Sequence, residues 1–282
     1  MRFTGSPEHL DTHILRSYSV LRWCMSVFGF ILPLLLVIGG LRSWWWLAAP
    51  LPVQNSLSAY YYAGSSCTAL EGVYRDLFVG VLAAIAACCV IYSGFGKLEN
   101  WLLNIAGVCL AGVAFFPTDW PEPQMLASCK DTPGFVDYVP SELLGLPMSI
   151  HFIAAIAFFI AIMVVNIYTA MDTVKITEDE KKRAFWTAVF SVARFLMPIS
   201  IGLVLLLRLA TGTSIIGDRL VLWIEWAGIW AFSLYWLLKS IEILGSKVDI
   251  DMVNGRVEWD TLSDGNKVSR HLQRCKVSHD GP

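Results

Sequence analysis

The sequence predicts an all-α fold, a polytopic membrane protein built as a six-transmembrane-helix bundle with an external loop cap. Three observations carry that prediction. Of 282 residues, 56% are hydrophobic and only 16% are charged, whereas soluble domains carry about a quarter charged residues. Six apolar blocks approach the roughly 20 helical residues needed to cross a hydrocarbon core. The first five hold few or no charges at their centres, apart from Arg194 in the fifth. A net charge of -2 with scattered basic residues gives no cationic face, so membrane lipid is the expected partner and nucleic acid is not.

Taken in order, residues 1–21 read as a cytoplasmic N-terminal segment, with a short amphipathic helix that begins after Ser6 and holds Pro7 and Glu8 in its first turn. The first span lies at about 22–41. A polar segment precedes it and the WWWLAAP after it offers no persuasive cleavage site, so it reads as a retained helix rather than a signal peptide. Spans at about 77–95 and 101–117 are joined by a short turn around Gly94, Gly96, Lys97 and Glu99, which forces an antiparallel hairpin. Spans at about 150–171, 186–207 and 220–241 complete a transmembrane domain of residues 22–244. Pro33 and Pro198 mark places where a kink opens backbone carbonyls. Residues 245–282 form a polar tail, too short for an independent enzyme, in which Val253, Asn254, Gly255 and Arg256 read as a hairpin turn.

Orientation follows from the connections. With the N-terminus in the cytoplasm, fifteen of the 21 basic residues fall inside, among them Arg2, Arg16, Arg22, Lys97, Lys175, Lys181, Lys182, Arg183 and seven from Lys239 onward. Five fall outside: Arg42, Arg75, Lys130, Arg208 and Arg219. The excess of positive charge inside places both termini in the cytoplasm, in a multi-pass protein of the bacterial inner membrane. Residues 43–74 and 118–149 then form the external cap, with Trp44, Trp45 and Trp46 at the outer interface. Cys67 and Cys129 lie in the two long external connections, where oxidation is permitted, and are expected to form a disulfide. Cys24, Cys88, Cys89 and Cys109 lie in spans and pack as small apolar groups, while Cys275 stays reduced in the cytoplasm.

Topology also gathers polar residues at one level. Asp76, His151 and Glu225 start the second, fourth and sixth spans at the outer face, and Asp119 follows the third. Ser56, Ser58, Tyr60 and Tyr61 lead into the same region, with Tyr62 beside them. Ionisable groups in membrane helices cost about 2.5–3.5 kcal/mol at mid-depth and usually face a cavity or the bundle interior. A water-accessible pocket for a lipid or small polar ligand is therefore expected. Each member also has a plainer role: Asp76 suits a helix start, Asp119 a solvated loop and His151 a structural hydrogen bond. Glu225, among Trp223, Ile224 and Trp226, is harder to explain that way. Arg194 lies on the inner half and calls for an acid or carbonyl partner.

Two alternatives stand beside ligand binding. Asp76, His151 and Glu225 are candidate ligands for a metal that activates water in an intramembrane hydrolase, although catalytic zinc usually takes two or three nitrogen or sulfur ligands. The same three could relay protons or hold a cation in a transporter or channel, although no acid lies at the bilayer centre. No GxSxG, HExxH, CxxC or P-loop spacing occurs. Cofactor and catalytic residues stay open.

Several motifs carry a resemblance across about residues 50–240: SLSAYYY at 56–62, YRDLFVG at 74–80, AGVAFFPTDW at 111–120, the IHFIAAIAFF block from Ile150, and WIEWAGIWAFSLYWLLKS at 223–240. In these the chain resembles an uncharacterised family of bacterial six-helix integral membrane proteins, whose pattern reads SxSxYY, RDxFVG, FP, a helix-starting His, and WxE followed by WLxK. Ser56, Ser58, Tyr60, Tyr61, Arg75, Asp76, Phe78, Val79, Gly80, Phe116, Pro117, His151, Glu225, Trp236 and Lys239 occupy those places. More distantly, the six-helix plan and the Phe-Pro end of the third span are similar to the damage-regulated autophagy modulator superfamily. A looser likeness to alkaline ceramidase-like hydrolases rests on Ser58, Asp76 and His151, but the paired histidines of the last helix are missing. These resemblances imply the fold and supply no reaction. The stretch AGSSCTALEGVY between Tyr62 and Arg75 lengthens the first external loop relative to the family pattern and contains Cys67, so the disulfide is a feature particular to this chain.

Overall fold

The computed structural model describes residues 7–42, 53–62, 72–118, 149–177, 179–246, 258–260 and 267–269. Its helices are α1 (Pro7–Arg42), α2 (Val73–Ile91), α3 (Lys97–Phe115), α4 (Ile150–Thr169), α5 (Asp172–Lys175), α6 (Glu180–Ala193), α7 (Leu196–Thr211) and α8 (Leu220–Ser246). A 3-10 turn spans Ser58–Tyr61. Six stretches are long and apolar enough to cross a membrane: Leu15–Ile38, Val73–Ile91, Lys97–Phe115, Ile150–Lys175, Glu180–Thr211 and Leu220–Ser246. The chain is an all-α polytopic bundle. Two three-residue strands, β1 (Glu258–Asp260) and β2 (Lys267–Ser269), pair antiparallel with Trp259 opposite Val268. The turn expected at residues 253–256 lies outside the described residues.

The spans differ in detail from the hydropathy pattern. The expected amphipathic N-terminal helix is continuous with the first span: one helix runs from Pro7 to Arg42, and Pro33, although it has no N–H to donate, does not end it. α2 and α3 begin four residues before the apolar blocks expected at 77 and 101. Hydropathy trims charged ends, but helical hydrogen bonding continues through Arg75, Asp76, Lys97 and Glu99. Glu99, in the first turn of α3, reaches back past the N-cap Gly96 to accept from the Phe95 amide at 2.8 Å. The fifth span is broken at Arg194 and Phe195. Pro198 has no N–H to offer the Arg194 carbonyl and its ring crowds that same carbonyl; the Phe195 amide instead closes a tighter turn onto Val192 at 2.9 Å.

Successive spans alternate in direction. Around the bundle, α4 packs on α3, α3 on α2, α2 on α1 and α1 on α8, and α4 touches α8 to close the ring. The α6–α7 run lies outside that ring against α8 and is only 17% buried, against 33–44% for the other spans. One end of the bundle carries the cap residues 53–62 and is termed the loop end. The other, with the start of α1, the α2–α3 turn, α5 and the end of α8, is the tail end.

Lipid tails are as apolar as leucine, so helices in a bilayer associate through close packing rather than hydrophobic burial. Small residues mark the crossings. A Cβ at Gly107 of α3 would sit 2.8 Å from the Ala86 carbonyl oxygen of α2 and 2.6 Å from a Val90 methyl; at Gly228 of α8 it would sit 2.6 Å from the Phe159 ring of α4. Since Ala86 O is backbone, Gly107→Ala must push two helices apart. It is expected to cost about 1–3 kcal/mol, read as a lower midpoint when the purified protein is unfolded in mixed micelles. Wild-type stability in that variant would show that α2 and α3 do not cross this closely.

Candidate functional site

The cap is fastened to the bundle through Glu225. This residue lies in the second turn of α8, and its two carboxylate oxygens accept from the Leu57 amide at 2.6 Å and the Ser58 hydroxyl at 2.8 Å. Further ties surround it. The Leu222 amide, one of the N–H groups at a helix start that lack a partner within the helix, donates to Asn55 O at 3.0 Å, and Arg219 Nε donates to Val53 O at 3.2 Å. The Tyr62 hydroxyl donates to Thr118 O at 2.6 Å, tying the cap to the end of α3. Within the cap, Ser56 Oγ accepts from the Ala59 amide at 3.0 Å and starts the turn. The Tyr60 hydroxyl accepts from the Gln54 amide at 3.4 Å and its ring packs on Tyr74. Burial pushes the Tyr60 phenol above its ordinary pKa of 10, with the Gln54 amide opposing the shift.

Beneath the cap lies a cavity of about 40 Å³. Its walls come from α1, α2, α3, α4 and α8, with Leu32, Leu82, Leu110, Phe158 and Phe232 among them, and Ser58 and Glu225 are its polar lining residues. The volume would hold about three waters, but a water needs two to four polar partners and an apolar cavity stays dry and accepts apolar ligands. Chemically, it is an apolar space with one carboxylate and one hydroxyl at its cap.

Of the residues expected at one site, the structure brings Ser56, Ser58, Tyr60 and Glu225 together. Asp76 stands elsewhere. Its side chain is 71% exposed and paired with Arg75 at 3.1 Å. Such an exposed pair is worth about 0–1 kcal/mol. With Tyr61, Val79, Gly80 and Phe115 the pair lines a separate cleft of about 370 Å³. His151 is buried, and its Nδ1–H donates to the Phe116 carbonyl at 2.8 Å, where it ties α4 to the end of α3. No hydrogen bond or ion pair joins Asp76, His151 and Glu225, and among the described residues no group of three His, Cys, Asp or Glu is placed to hold a metal. Asp119, Cys67 and Cys129 lie outside the described residues. Arg194 meets the ring of Phe195, its guanidinium carbon 4.7 Å from the centroid, rather than an acid.

The tail end holds a second polar assembly, at the opposite level from Glu225 and its partners. Lys239 and Glu242, 2% and 0% exposed, form an ion pair at 3.5 Å on α8. Lys239 Nζ also donates to Ala170 O at 3.0 Å and to the Thr173 hydroxyl, and lies 4.9 Å from the centroid of the Phe190 ring. Glu242 accepts from Thr173 at 2.7 Å. Glu99 is buried within electrostatic reach of Lys239, Arg22 and Asp172. Charges from α1, α3, α5 and α8 thus converge where four chain segments meet. The signal in the sequence is the pair Lys239 and Glu242, three residues apart at the end of an otherwise apolar span. Between the two ends the core is mostly hydrocarbon, with Leu82, Ile85, Leu110 and Phe232 in the cluster that joins the helices and Ser233 buried among them.

Comparisons of the chain with protein-family descriptions, with curated proteins and with solved structures found no match.

Proposed function

We propose that this protein binds a membrane lipid or similar amphiphile at its loop end, with both termini cytoplasmic and the capped slot opening on the outer side of a bacterial inner membrane. One observation carries the reading: a cavity inside a membrane bundle, walled by apolar side chains from five helices and closed by a short turn that hangs on Glu225. A dry apolar cavity gains by taking up hydrocarbon, and the surrounding bilayer supplies it. At about 40 Å³ the slot receives the end of a chain; anything larger enters as the cap lifts. Leu82 lines the slot, and Leu82→Trp fills it. The expected result is loss of about one bound lipid per protein from the complement that co-purifies, measured by mass spectrometry of the intact protein released from detergent, with helix content unchanged by circular dichroism. A wild-type lipid complement in this variant would defeat the reading.

A further inference from the structure

A different cavity lies on the other side of the α8 start, and it shares no lining residue with the slot. It has a volume of about 470 Å³ between the α7–α8 turn, the cap and the end of α1, and is lined by Thr213, Ser214, Arg219, Trp223 and Trp226 among others. We infer that this cleft is a site for the phosphate of an anionic lipid headgroup, with Arg219 as its principal ligand.

Four features point there. Arg219 is exposed, and its Nε donates to Val53 O at 3.2 Å, which fixes the back of the guanidinium on the cap. Its terminal nitrogens make no ion pair with a described residue, although Asp218 is its neighbour in sequence. Arg208 reaches the same turn, with a terminal nitrogen on Gly217 O at 3.1 Å, and likewise has no described acidic partner. A planar guanidinium matches a phosphate with two parallel hydrogen bonds, and the Thr213 and Ser214 hydroxyls stand in the same cleft as further donors. Trp223 and Trp226 stack in that wall with centroids 5.9 Å apart and planes 18° apart, and indoles of this kind favour headgroup depth. The Trp226 Nε1–H is buried and has no partner among the described residues.

The source of the phosphate follows from what adjoins the cleft. α7 runs away from it with Leu206 and Leu209 exposed, the latter at 82%. A headgroup held at Arg219 would therefore lay its chains along a surface that already faces lipid. A soluble phosphate would gain nothing from that surface.

The test uses the full-length protein in nanodiscs containing equal phosphatidylglycerol and phosphatidylcholine, with retained lipid counted by mass spectrometry after detergent release. The wild type is expected to retain phosphatidylglycerol about tenfold over phosphatidylcholine. Arg219→Gln is expected to lower that preference about tenfold and Arg219→Lys less, because lysine keeps the charge but loses the fork. Arg219→Gln should lower bound phosphatidylglycerol without lowering bound phosphatidylcholine, whereas Leu82→Trp should lower both alike, so failure here and failure of the slot reading are separable. Unfolding midpoints check that each variant is folded. Equal retention of the two lipids by the wild type, or an unaltered preference in Arg219→Gln, would overturn the inference. Displacement of phosphatidylglycerol by millimolar inorganic phosphate would overturn the lipid source.

Discussion

Lys239→Met is expected to cost about 3–5 kcal/mol of stability, the range for breaking one partner from a buried ion pair. Lys239 is the hub at the tail end, in contact with Ala170 O, the Thr173 hydroxyl and Glu242. Methionine keeps most of its length and apolar stem. It leaves Glu242 with donors from Thr173 and Ser246 but no cation, and Ala170 O loses a donor. The cost should appear as a lower unfolding midpoint in mixed micelles of dodecylmaltoside and dodecyl sulfate. Because most of it arises from the stranded carboxylate, the double variant Lys239→Met with Glu242→Leu should recover at least half. A single variant as stable as the wild type, or a double variant no better than the single, would mean that the pair does not join the helices at this end.

The second large effect lies at the opposite end. Glu225→Leu strips the acceptor from two donors, the Leu57 amide and the Ser58 hydroxyl. A buried donor left without a partner costs about 1–3 kcal/mol, so the pair amounts to roughly 2–6 kcal/mol, concentrated in the cap. Only part of it should register in the global midpoint, because a released cap swings into water and recovers hydrogen bonds there. Hydrogen exchange is the more direct readout. The Leu57 amide should exchange at least tenfold faster in Glu225→Leu, while amides of α2 and α3 hold their wild-type rates. Glu225→Gln keeps one acceptor oxygen and should fall between. A Leu57 amide that stays protected in the leucine variant would show that the other ties, Arg219 to Val53 O and Leu222 to Asn55 O, hold the cap without the carboxylate.

These two joints show unequal legibility. Glu225 stands out in the sequence because a carboxylate lies among tryptophans at the start of a span, and its neighbourhood with Ser58 is anticipated from their shared depth. Lys239 and Glu242 are equally charged, yet they sit at the other end, where positive charge is expected anyway and a basic residue reads as solvated. Depth along a helix follows from counting residues at 1.5 Å each; direction around the helix does not. Asp76 and Glu225 lie at the same end of the bundle, but Asp76 points outward to pair with Arg75 while Glu225 points under the cap. Half a turn of helix, about two residues, separates a lipid-facing side chain from a core one, and packing against neighbours selects between them.

The sequence by itself determined the number of spans, because this rests on a local quantity, apolar length; a missing N–H marked Pro33 and Pro198 alike, and only the helix at Pro198 is broken. The tertiary structure alone decided which helices adjoin, that the fifth span stands outside a ring of five, that Glu225 holds the cap, and that Arg22, Glu99, Lys239 and Glu242 are buried together. In a bilayer every helix satisfies its own backbone hydrogen bonds, so each can form almost independently of the others. Which faces then meet depends on small residues such as Gly107 and on long-range pairs of polar groups, and neither leaves a periodic trace along the chain.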